Sequence, residues 1–207
     1  MAEYHLNAPL SDEDVLKLKL GDIVYISGNA FTCRSRLQKY IFDEGNVLPF
    51  KTKDRNILIH NGPIVIKQNG KWKLVSFMPT SSIRFEKWGA KSVSEWDLKM
   101  IVGKTTMGED TAKMMKEKKC VHVSPRSVSP NLWIDSIEVE DVYLFDELGS
   151  IEAAWFFKLN ELGPFIVDID AEGNNFFDTL DLEIEKRKEE ALEKLGIERD
   201  YKFTKLY

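Results

Sequence analysis

The chain has 207 residues, 43% of them hydrophobic and 11% aromatic, which is enough to bury a core and argues against disorder. Its 29 basic and 34 acidic side chains give a formal charge of -5 with no long run of one sign, so a nucleic-acid or membrane-surface tract is not expected. No apolar stretch reaches the roughly 20 residues that span a bilayer, the start Met1-Ala2-Glu3-Tyr4-His5 lacks the basic and apolar regions of a signal peptide, and Cys33 and Cys120 alone supply neither a disulfide framework nor a four-thiolate metal site; a cytoplasmic protein is expected.

Ser11 followed by Asp12-Glu13-Asp14 predicts a short capped helix, because a serine hydroxyl accepts a free backbone N–H and acids favour the positive helix end. Gly21 closes that segment. Ile23-Val24-Tyr25-Ile26 reads as a buried strand and Gly28-Asn29-Ala30 as a loop. Leu37, Tyr40 and Ile41 then recur at helical spacing between Cys33 and Glu44, giving strand, loop and helix. Asn56 to Ile59 is a further strand, and Asn69-Gly70 between Ile64-Val65-Ile66 and Trp72 to Val75 marks a hairpin.

After Pro79, a hydroxyl of Thr80, Ser81 or Ser82 is placed to cap a helix carrying Arg84, Phe85 and Trp88. Met100-Ile101-Val102 predicts a strand, Gly103 to Thr106 a loop, and Ala112 with Met115 the apolar side of a helix. Beyond Val121-His122-Val123, the segment Ser124 to Pro130 breaks regular structure, with strands resuming at 137–139, 153–157 and 165–169. A charged helix from about residue 178, supported by the i,i+4 pairs Glu183–Arg187 and Glu190–Lys194, ends a single domain over 1–207.

Three strand-to-helix junctions each deliver a cation: Arg34, Arg84 and Lys104. Small anions bind beyond the carboxyl ends of such strands, where helix N-termini point free N–H groups outward. An arginine fork suits a carboxylate and a lysine adds a point charge. Taken singly each is a solvated surface group; taken together they suit a small dianion. Thr80 is read either as a cap or as a hydroxyl facing that anion, and Cys33 as a small buried thiol rather than a nucleophile. His60 is assigned a structural role, Asp168 and Asp170 a turn, and no Ser/His/Asp or Cys/His set is evident.

Several ordered motifs resemble one family: Gly21 to Gly28, Gly62-Pro63, Pro79-Thr80-Ser81-Ser82-Ile83-Arg84, Ile101-Val102-Gly103-Lys104, Met107 to Thr111, and Phe165 to Asn174. Together they are similar to the C-terminal domain, or β subunit, of class I fumarate hydratases and L(+)-tartrate dehydratases. The resemblance implies an α/β fold: a swivelling β/β/α domain with a central sheet or partly closed barrel flanked by helices. It also implies a hydro-lyase acting on a C4 dicarboxylate, malate and fumarate first and tartrate as the alternative, active only with an α subunit. The 4Fe-4S cluster would be carried by that partner and no metal by this chain. Position by position, Arg34, Arg84 and Lys104 match the family's substrate cations and Thr80 its proton-transfer threonine.

The chain departs from that pattern at Ser35 and Gln38, where Asp and His are usual, at Thr105-Thr106, which replace a Gly pair, and at Ser124 to Ser127, where glycines are expected. These departures keep open a non-catalytic anion-binding or scaffold paralogue of the same fold.

Overall fold

Along the short runs Ile57 to Ile59 and Met100 to Val102, successive apolar side chains meet first one hydrophobic layer and then a second, while in Val121 to Val123 both valines face the first layer and His122 points the other way. The computed structural model describes residues 1–126, 129–198 and 201–202. These divide into two units, Met1–Asn175 and Phe176–Tyr207.

In chain order the first unit contains β1 (Glu3–Asn7), α1 (Asp12–Leu16), β2 (Ile23–Cys33), α2 (Ser35–Phe42), β3 (Ile57–His60), β4 (Ile64–Gln68), β5 (Lys71–Ser76), a 3-10 turn (Ser82–Phe85) and α3 (Glu86–Glu95). It continues with β6 (Met100–Val102), α4 (Glu109–Lys118), β7 (Val121–Pro125), β8 (Ile137–Tyr143), α5 (Phe145–Leu148) and β9 (Ala154–Ile169). The large sheet runs β1-β2-β3-β6-β7-β9-β8, and the extra pairing of β2 with β9 closes β2, β3, β6, β7 and β9 into a barrel. β2, β3, β6 and β7 are parallel neighbours, and β9 runs antiparallel to both ends of that set. This is the expected mixed α/β architecture, with the barrel fully closed.

Ile26, Ile57, Ile59, Val102, Val123 and Phe165 belong to the first layer. The second joins Leu58, Ile101 and Cys120 to Leu37 of α2, Val93 of α3 and Met115 of α4. Each such side chain contributes about 1.5–3 kcal/mol on full burial. The expected Ser11 cap is present, and it is reciprocal: Asp14 N donates to Ser11 Oγ at 3.2 Å and Ser11 N to Asp14 Oδ2 at 3.0 Å, a capping box. The Asn69-Gly70 hairpin is also present, both residues having positive φ.

Three expectations are corrected. Gly28-Asn29-Ala30 is not a loop but the middle of β2, where Gly28 at φ +92° allows a register shift and close passage over Ala8; a Cβ there would lie 2.7 Å from the Ala8 carbonyl oxygen. The separate strands at 153–157 and 165–169 are one 16-residue strand, because β9 pairs first with β8 and then with β7 while running along β2 from Phe156 to Ile166. After Pro79 no hydroxyl caps a helix: the segment enters through the 3-10 turn, and neither Ser81 nor Phe85 makes a side-chain cap.

The second unit contains α6 (Phe176–Lys194), whose residues are solvent-facing. Lys194 reaches Glu190 at 2.6 Å and Arg187 reaches Glu183 at 3.9 Å, exposed pairs worth about 0.3–0.5 kcal/mol each. Among the described residues no helix is long and apolar enough to cross a membrane.

Candidate functional site

Strand register gathers the predicted site residues at one end of the parallel strands. Cys33 pairs with His60 across β2 and β3, so Arg34 leaves β2 where β3 ends. Ile59 pairs with Val102, which sets Gly103 and Lys104 beyond the same edge. The 79–85 segment then crosses these ends, with Thr80 N donating to the His60 carbonyl at 2.7 Å, Lys104 N to the Thr80 carbonyl at 2.9 Å, and Ser82 N to the Lys104 carbonyl at 2.8 Å. Thr80 is thus clamped by backbone between β3 and the Lys104 loop, with Arg84 one turn further on. Arg34 packs on the following turn, its Cδ lying 2.9 Å from where a Cβ on Gly62 would stand.

The charges here are poorly neutralised. Arg34 Nε lies 3.4 Å from Glu152 Oε1, without hydrogen-bond alignment. The other oxygen of Glu152 accepts from Arg36 N at 2.8 Å, near the start of α2. Arg84 is exposed and Lys104 half-buried, and among the described residues neither has an ion-pair partner. Beside them, Thr105 stands at φ +64°, a left-handed conformation that costs a β-branched residue about 1–2 kcal/mol.

A buried polar line lies on the helix-facing side of the sheet. His60 Nδ1 and His122 Nε2 each lie 2.8 Å from Ser82 Oγ. His122 Nδ1 is 2.5 Å from Asp168 Oδ1, and Ser124 Oγ is 2.6 Å from Asp168 Oδ2 and 2.8 Å from the Thr105 carbonyl. Ser82, His60 and His122 are wholly buried and Asp168 nearly so. Burial, aided by the nearby His122, holds the His60 imidazole well below its usual pKa and therefore neutral.

This line corrects three sequence readings. A Ser/His/Asp set does exist, Asp168 belongs to it rather than to a turn, and Ser82 is more than a spare cap. Asp170 does hold the turn, accepting from Glu172 N and Asn174 N at 3.0 Å each. The overlooked signal was a histidine inside the otherwise apolar strand Val121-His122-Val123, a type of residue that must find a partner when buried.

Cys33 is buried, and its thiol is pushed well above its usual pKa by burial and then by the Glu152 charge, as expected of an inert thiol. Burial likewise raises the Cys120 thiol. At the departures, Gln38 is buried and its Nε2 donates to Ser92 Oγ at 3.1 Å, which ties α2 to α3.

The family model described as "Fumarase C-terminus" matches residues 1–180. The chain belongs to this fumarase C-terminus family. It is 33% identical over 171 residues to the L(+)-tartrate dehydratase subunit beta of Escherichia coli, covering 82% of this chain and 84% of that protein. It is 34% identical over 197 residues to the "Putative L(+)-tartrate dehydratase subunit beta" of Methanocaldococcus jannaschii, covering 93% and 98%. Against the "Putative fumarate hydratase class I" of Geobacillus stearothermophilus it is 32% identical over 193 residues, which are 92% of this chain but 35% of that protein. The matched span of this fumarase C-terminus chain includes Arg34, Thr80, Arg84, Lys104 and the whole Ser82 line, and ends within α6.

Proposed function

We propose that this chain is the β subunit of a two-subunit hydro-lyase that reversibly adds or removes water on a C4 dicarboxylate. The observation that carries the reading is the gathering of Arg34, Arg84 and Lys104 with Thr80 at one sheet end, two of the cations lacking any ion-pair partner among the described residues. Glu152 is an ion-pair partner of Arg34 alone, and Arg84 and Lys104 have none among the described residues, which leaves positive charge suited to a dianion. In this reading Arg34, Arg84 and Lys104 hold the two carboxylates, and Thr80 exchanges a proton at the carbon beside one of them. The nearby cations lower the cost of negative charge on the threonine oxygen.

In this reading a 4Fe-4S cluster would belong to an α subunit, where it would supply Lewis-acid chemistry at the departing hydroxyl. This chain's residues do not fit such a group. Both thiols are buried and held protonated, and among the described residues no group of three His, Cys, Asp or Glu is placed to hold a metal.

Malate with fumarate is the first substrate pair, and tartrate is the second reading, favoured by the names of the Escherichia coli and Methanocaldococcus relatives. The test is anaerobic co-expression with a cysteine-bearing α subunit and assay of malate, fumarate and tartrate. Arg84→Ala and Lys104→Ala should each raise KM about 10- to 100-fold, the loss of one charge-assisted hydrogen bond. Thr80→Ala should lower kcat instead. Unchanged KM in both cation variants would refute the site, turnover by the chain alone would refute the two-subunit reading, and a complex inert on all three substrates would leave a non-catalytic paralogue.

A further inference from the structure

Hydrogen counting gives the buried polar line a direction. With a neutral His122 imidazole donating Nδ1–H to the Asp168 carboxylate, its Nε2 carries a lone pair and accepts from the Ser82 hydroxyl, whereas an imidazolium would donate from both nitrogens. Ser82 has a single hydrogen, now committed to His122, so its oxygen accepts from Nδ1–H of His60. His60 Nε2 is then left as a lone pair, and that atom is buried without a hydrogen-bond partner. With that tautomer every donor in the line points towards Asp168.

Three further observations show that the line is built into the fold. Asp168 is the extra residue of a bulge in β9: His122 pairs with Ile169 and Val123 with Val167, which turns Asp168 towards His122. Gly103 leaves the space that Ser82 Oγ occupies, since a Cβ there would stand 1.7 Å from that oxygen and 3.2 Å from His122 Nε2. Arg34 Nε, Gln38 Oε1 and Asn61 Oδ1 are, like His60 Nε2, buried side-chain atoms without hydrogen-bond partners, and they sit on the elements that meet at the carboxyl ends of β2 and β3. A buried polar atom without a partner calls for an explanation, and a catalytic role is one of those it can have.

We infer that Asp168, His122, Ser82 and His60 form a positioning relay for the Thr80–Arg84 loop, setting the Ser82 hydroxyl from beneath the end of the sheet. The inference rests on the proposed hydro-lyase reading. Ser82 is pinned twice, by its backbone N–H to Lys104 and by its side chain to both imidazoles. Thr80, two residues earlier, is bonded to the backbone of His60 itself. The relay therefore fixes where Thr80 stands and leaves carboxylate binding to the cations, so its loss should appear in kcat more than in KM.

The test has a kinetic and a spectroscopic arm. In the αβ complex, Ser82→Ala should lower kcat about 10- to 100-fold with KM changed less than about threefold. Asp168→Asn should lose less than Asp168→Ala, because the amide oxygen still accepts from His122. Unchanged kcat in Ser82→Ala, or a defect carried only by KM, would overturn the inference. Nitrogen-15 spectra of the full wild-type chain should show His60 and His122 as neutral Nδ1–H tautomers at pH 7, and either one as the Nε2–H tautomer or the cation would overturn the assigned direction even if Ser82→Ala failed to fold. If Arg84→Ala and Lys104→Ala leave KM unchanged while Ser82→Ala lowers kcat, the anion site fails and the relay stands; the reverse pattern sinks the relay alone.

Discussion

Gly103→Ala adds one methyl group at the most crowded point of the site. Gly103 has no positive φ, so its backbone accepts alanine and the whole cost comes from packing. A Cβ 1.7 Å from Ser82 Oγ cannot coexist with it, so the serine must withdraw from both imidazoles or the β6 end must shift. Overpacking of this kind costs about 1–3 kcal/mol, and each buried polar group left unpaired adds about 1–3 kcal/mol. A loss of about 3–5 kcal/mol is expected, which for a chain of this size lowers Tm by about 6–20 °C. Thermal and urea unfolding followed by circular dichroism would read it. Ser82→Ala removes the atom that is struck, so in the double variant the methyl group should cost about 1–3 kcal/mol less than it does alone. A Gly103→Ala protein melting within about 2 °C of wild type, or strict additivity in the double variant, would refute the packing around Ser82.

Two further outcomes follow from local conformation and charge. Thr105→Gly should relieve the left-handed strain of about 1–2 kcal/mol at a cost of about 0.4–1 kcal/mol in unfolded-chain entropy, so a small rise in Tm by calorimetry is expected and a fall would contradict the strain at φ +64°. The Asp12 carboxyl is lowered to about 2, first by the Lys119 ammonium and then by Lys99. Its pKa is lower folded than unfolded, so its contribution is full above the unfolded value of about 4 and is lost as pH falls towards 2. With the side chain 44% exposed, solvent screening keeps that contribution below about 1 kcal/mol. Asp12→Asn should therefore be less stable than wild type at pH 7, with the gap shrinking as pH falls through the folded value of about 2, as read by urea unfolding, and a gap that does not narrow on acidification would reject the ion pairs.

How much of this was legible in the sequence depended on whether the signal was local. The Ser11 cap, the Asn69-Gly70 hairpin and the helical spacing of Leu37 and Ile41 each lie within a few residues, and each stands where it was read. The cations were legible as well, because a strand-to-helix junction marks a sheet end before the sheet order is known. Barrel closure was not, because it needs β9 to pair with β2 from Phe156 to Ile166, and Gly163-Pro164 inside that stretch reads as a break. The relay was least legible of all. His122 and Asp168 are 46 positions apart, and only a bulge in β9 points one at the other.

The site therefore separates two physical tasks onto the two sides of one loop. Arg84 is exposed and Lys104 half-buried, so the charges proposed to attract a dianion can reach water, where exchanging hydration for carboxylate is inexpensive and sensitive to salt. Ser82, His60 and His122 are sealed beneath the helices with neutral His60 among them, where a hydrogen bond is strong and a misplaced one is costly. Binding strength should accordingly respond to ionic strength and the relay should not. Increasing salt on the αβ complex ought to raise KM while leaving kcat and the histidine tautomers unchanged, whereas a parallel fall in kcat would place electrostatic steering and loop positioning in the same residues and dissolve the separation.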